Sequence, residues 1–103
     1  MSQNVTVIGN VTITTYAPTL RLRDDARKVI TKLQGVDVDQ RSRSDFSILV
    51  AYTAKVEGLE WEPPTAKASP KELAEAMQYW LDFIDPKLSD EWISAVFPTE
   101  PNP

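Results

Sequence analysis

The sequence predicts an α+β fold: an N-terminal β-hairpin followed by about four α-helices in a small, mainly helical bundle. Three observations lead there. The first sixteen residues are largely β-branched and alternate around Gly9-Asn10. From Leu20 onward, apolar residues recur at spacings of three and four. Gly35, Gly58, Ser69-Pro70 and Asp85-Pro86 then punctuate that helical stretch.

Val5-Thr6-Val7-Ile8 and Val11-Thr12-Ile13-Thr14 have strand chemistry. A two-residue loop would mix the two faces. A three-residue loop from Ile8 to Asn10 pairs Val7 with Val11 and Val5 with Ile13, collecting four apolar residues on one face. Asn10 then takes the left-handed position. This is the preferred register. A lone hairpin is marginal, so its apolar face must lie on the helices or on another subunit. Pairing of copies into a homo-oligomer is therefore one expectation.

Ala17-Pro18-Thr19 ends the strand region. Leu22, Ala26, Val29, Ile30 and Leu33 form the stripe of a first helix, with Asp24 and Asp25 assigned to its first turn and Gly35 to its stop. Ser44 or Asp45 is the expected cap of a second helix, whose stripe of Phe46, Leu49, Val50 and Thr53 runs on to Val56 and stops at Gly58. Ile48, Ala51 and Tyr52 make its other side apolar too, so this helix should be the central one. Pro63-Pro64 keeps residues 59–69 irregular. Ser69-Pro70-Lys71-Glu72 is a capping box with proline at the first helical position. It opens a third stripe of Leu73, Ala76, Met77, Trp80, Leu81 and Ile84. Asp85-Pro86 opens the last helix, with Leu88, Trp92, Ile93 and Val96. The domain is expected to span 1–97 (hairpin 1–16, helical part 20–97), with 98–103 a disordered, proline-rich tail.

At 103 residues the chain has the length of one domain. It has no cysteine and no histidine, which removes disulfides, thiolate chemistry, Ser-His-Asp triads and the usual neutral-pH proton shuttle. No apolar run approaches the ~20 residues of a membrane span. Met1-Ser2-Gln3-Asn4 lacks the character of a signal peptide, so a cytoplasmic protein without a membrane partner is expected. Net charge is −4 and uneven: residues 1–50 hold seven basic and five acidic side chains, residues 51–103 four and ten. Arg21, Arg23, Arg27, Lys28 and Lys32 form the one basic strip, broken by Asp24 and Asp25 and without interleaved aromatics, so no nucleic-acid partner is expected.

The carboxylates read as structural. Asp37-Val38-Asp39 lacks the further ligands and glycine of a calcium loop. Asp82 and Asp85 are spaced for acid–base work, but Asp85 is placed to cap. No glycine-rich phosphate loop exists, no lysine has an apolar setting, and nothing calls for a metal or cofactor. The expectation is a non-enzymatic protein.

The aromatics carry more information. Trp80 and Trp92 lie on helix stripes and suit the core. Trp61, between acidic residues and before two prolines, either folds back as a lid or stands out as an anchor for a protein partner. Phe97 has the same ambiguity. Leu59, Trp61, Pro63, Pro64, Trp92 and Phe97 are therefore the candidate protein-binding residues. The hairpin's edges offer strand addition as another mode.

The segments Asp45-Phe46-Ser47-Ile48-Leu49-Val50-Ala51 and Val56-Glu57-Gly58-Leu59-Glu60, with Trp80 and Glu91-Trp92-Ile93-Ser94-Ala95, resemble the tail assembly chaperones of long-tailed phages and prophages. The resemblance covers Leu20 to Phe97, and the hairpin departs from the family's helical pattern. It implies a small, acidic, non-enzymatic protein of the host cytoplasm that binds a tape measure or tail tube protein and then leaves. Two alternatives stand beside it: a structural neck or head–tail connector protein, and a small acidic inhibitor of a host protein.

Overall fold

A computed structural model describes residues 3–97. The expected tail at 98–103 lies outside them. The chain runs β1 (Gln3–Ile8), β2 (Val11–Tyr16), α1 (Leu20–Lys32), α2 (Gln40–Tyr52), β3 (Thr53–Glu57), α3 (Pro70–Phe83) and α4 (Pro86–Val96). The α+β class holds, with one strand more than the hairpin. The sheet is antiparallel in the order β1-β2-β3.

The hairpin register differs from the expected one. Ile8 pairs with Val11, Val7 with Thr12 and Val5 with Thr14, across the two-residue turn Gly9-Asn10. Gly9 has φ +60° and, among the described residues, none other than glycine has positive φ, so glycine and not Asn10 takes the left-handed position. Glycine at the first central position is the signature of a type II′ turn. The slip reverses the face of β1: Val5 and Val7 are 66% and 68% exposed, while Val11, Ile13 and Thr15 of β2 are buried. The mixed pairing is tolerated because β1 is an edge strand. β2, flanked on both sides, supplies the buried face.

The third strand was hidden in the expected second helix. That helix ends at Tyr52, and Thr53 turns at once to extended backbone. Ile13 then pairs with Val56 and Thr14 with Lys55, but Thr15 pairs with Thr53, so Ala54 is an extra residue in a bulge. Gly58 closes the strand at φ +88°, and a Cβ there would overlap the Asn10 carbonyl oxygen. Only glycine lets β3 end against the hairpin turn.

α2 also begins earlier than expected. Asp39 is its cap, accepting the Ser42 N–H at 2.7 Å. Arg43 reaches back to the Val36 and Val38 carbonyls at 2.9 and 3.3 Å. These bonds extend the helix through the polar residues 40–43. α1 is capped by Thr19, whose hydroxyl accepts the Leu22 N–H, which moves Asp24 and Asp25 beyond its first turn. The capping box of Ser69 with Glu72 and the Asp85 cap form as the sequence predicts.

The core lies between the sheet, α2 and the remaining helices. Ile13, Val29, Leu33, Phe46, Leu49, Leu73, Met77 and Trp92 are fully buried. Phe46 and Trp80 meet at 5.5 Å between ring centroids. Each core indole finds a hydroxyl: Trp80 Nε1 donates to Ser89 Oγ at 3.1 Å and Trp92 Nε1 to Thr53 Oγ1 at 2.9 Å. A second, smaller cluster joins Leu22, Ala26, Ala51, Tyr52 and Val96.

Candidate protein-binding surface

Residues 58–69 cross the protein without regular structure, and Trp61 folds back onto the helices. Its indole meets Trp92 edge-on at 6.4 Å and stacks on Tyr79 at 5.7 Å, with 16° between the planes. Tyr79 in turn touches Phe83 at 4.8 Å. The result is an aromatic ladder. It starts at buried Trp92, passes through half-buried Trp61 and Tyr79, and emerges at Phe83, which is 71% exposed. Glu60 and Glu62 flank Trp61 in the chain. Glu75 and Asp82, both exposed, stand one helical turn from Tyr79. Aromatic faces beside carboxylates suit a lysine- or arginine-bearing apolar segment: the rings take its stems and the carboxylates its charges.

The loop is held down from below. Lys32 Nζ donates to the carbonyls of Ala66 and Ala68 at 2.9 and 3.0 Å. The last member of the basic strip is thus a tether for the segment that carries Trp61.

The six candidate residues do not form one site. Leu59 and Trp61 pack over the main core. Trp92 is fully buried and indole-bonded to Thr53, so it supports the ladder from beneath and offers no surface of its own. Pro63 and Pro64 line a groove of about 740 Å³ with Tyr16, Leu22 and Val50. Phe97 meets Tyr52 edge-on at 5.4 Å and borders a different groove, of about 640 Å³, between α1 and α2.

Sequence reasoning missed Tyr79 and Phe83. Both fall off the apolar stripe of α3, and their four-residue spacing was the available signal. Leu81, placed on that stripe, is 41% exposed.

The carboxylates have other settings. Asp39 is held below its ordinary value by hydrogen bonds from Ser42, as befits a cap. Asp45 is pushed up by burial, with Arg41 opposing and nearby Asp90 reinforcing the shift. Among the described residues, no group of three or more His, Cys, Asp or Glu side chains is placed to hold a metal ion. No described helix is long and apolar enough to cross a membrane. Comparison with protein-family models, curated proteins and solved structures finds no match to this chain.

Proposed function

We propose that this chain is a non-enzymatic tail assembly chaperone of a long-tailed phage or prophage. It covers an apolar, basic stretch of a tape measure or tail tube client until assembly takes that stretch over. The observation that carries this reading is the ladder Trp61–Tyr79–Phe83, which opens to solvent one helical turn from Glu75 and Asp82, with Glu60 and Glu62 next to Trp61 in the chain. Aromatic anchors supply binding energy. A rim of exposed carboxylates speeds encounter with a basic segment and keeps the complex soluble. No cofactor enters, and the C-terminal half contributes most of the acidic charge.

Co-expression with the client tests this. The soluble fraction of the client should rise with the parent chain and fall back with Tyr79→Ala or with Glu60→Lys/Glu62→Lys. A client equally soluble with and without the chain ends the reading. A rescue indifferent to both variants moves the binding surface elsewhere.

One observation favours a second reading, a structural neck or connector protein. β1 is an open sheet edge, with Val5 and Val7 exposed beside it. A structural role predicts the chain in purified particles at fixed stoichiometry, whereas a chaperone is absent from them.

A further inference from the structure

We infer that β1 is a docking edge, which takes an extended segment of a partner protein as an added strand of the sheet. The register fixes which of its backbone groups are free. A two-residue hairpin closes with a hydrogen-bonded pair, here Ile8 with Val11, and such pairs alternate with unbonded ones along an antiparallel ladder. Ile8, Thr6 and Asn4 therefore turn their N–H and C=O groups toward β2, while Gln3, Val5 and Val7 turn theirs outward. Among the described residues no strand lies beyond β1, and no backbone hydrogen bond from elsewhere reaches those three. The two edges of the sheet differ in protection. β3 carries Lys55 and Glu57 and is bent by the bulge at Ala54, devices that keep other strands away. β1 has six residues with no charge, no proline and no bulge, so it is the edge left fit for pairing.

The surroundings of that edge select the occupant. Ile8, at the end of β1, borders a groove of about 410 Å³ with Val11 and Leu88. The charged residues lining it are Asp85 and Glu91 against Lys87, an acidic balance. Side chains of an added strand alternate between the two faces, and the one opposite Ile8 falls on the same face as Ile8, beside this groove. The strand that fits has an apolar residue there and a lysine or arginine two positions away on the same face. A second copy of β1 brings neither. It has no cation. In any antiparallel self-pairing that matches two or more of the outward-facing residues, Asn4 or an earlier residue comes opposite Ile8. The partner is therefore a foreign strand of alternating character with basic residues on its inner face. The inference does not rest on the aromatic ladder, which shares no residue with this edge.

The probe is a capped heptapeptide, Thr-Lys-Thr-Val-Thr-Lys-Thr, whose valine and lysines share one strand face. It is titrated into the isotope-labelled full chain and followed by amide NMR. Binding should slow amide exchange at Val5 and Val7 and leave Thr6 and Ile8, already bonded to β2, as they were. Val5→Pro removes one outward N–H, and an edge strand accepts proline where that group faces solvent. Circular dichroism verifies its fold, and it should bind the peptide at least about tenfold more weakly. The same peptide N-methylated at its three central residues should not bind, a control that leaves the chain untouched. Glu91→Lys, at an exposed position of α4, should weaken binding about threefold. Tyr79→Ala should bind as the parent does, which separates this edge from the client surface proposed above. A peptide without effect up to about 1 mM overturns the inference. So does equal binding by Val5→Pro or by the N-methylated peptide, or protection confined to α3. If the chain alone sediments as a pair that Val5→Pro dissociates, the occupant is a second copy and the inference falls.

Discussion

Thr15 shows how one atom can lower stability. Its side chain is fully buried and its hydroxyl has no hydrogen-bond partner among the described residues. A buried, unpaired hydroxyl costs about 1–3 kcal/mol, and valine keeps the branched shape without it. Thr15→Val should therefore raise the melting temperature, and a lower one would mean the hydroxyl is bonded. Asp45 gives a pH-dependent counterpart. Burial raises its folded pKa above 3.8, so the folded state holds that proton more tightly than the unfolded chain. The stability linked to this proton is present below 3.8 and is lost as pH rises through the folded value. Asp45→Asn removes that loss. It should stabilise the protein at neutral pH, and melting curves should show the gain shrinking as pH approaches 3.8.

Elements differ in how far their cause extends along the chain. The α3 and α4 starts are closed by bonds spanning two or three residues: Ser69 with Glu72, and Asp85 with Lys87 and Leu88. Such caps are readable in the sequence because both partners are neighbours. β3 is the opposite case. Thr53-Ala54-Lys55-Val56 continues an apolar helical spacing, yet it becomes a strand because β2 offers a partner edge about forty positions earlier. The join between β3 and the hairpin depends on Gly58, where any Cβ strikes the Asn10 carbonyl. Gly58→Ala should cost about 2 kcal/mol or more from backbone conformation and overlap together, measured by chemical denaturation. A cost below about 0.5 kcal/mol would show the turn is free to move aside.

Across the whole molecule, the sheet has a load-carrying side and an idle one. α4 and the core cover Val11, Ile13 and Thr15, while Val5 and Val7 face outward. Val5→Thr and Val7→Thr should each change stability by no more than about 0.5 kcal/mol. Trp92→Ala removes a fully buried ring from beneath Trp61 and should cost about 3–5 kcal/mol. Equal effects at the two places, read from denaturation midpoints, would favour the register that puts both valines inside. The candidate site follows the same division. Trp61 was legible as an unusual loop aromatic, but its stacking on Tyr79 required α3 to lie alongside the loop.

The sequence by itself determined the strand character on both sides of Gly9-Asn10, the stripes of α1, α3 and α4, and three of the caps or punctuating glycines that bound them. These depend on bonds and spacings within a single turn, which every copy of the local sequence carries. Tertiary structure alone decided the hairpin register, the third strand, the Lys32 tether and the course of the aromatic ladder. Each of these joins groups that are separated along the chain or are set by which face gets buried. Their energies exist only once the partners have been brought together.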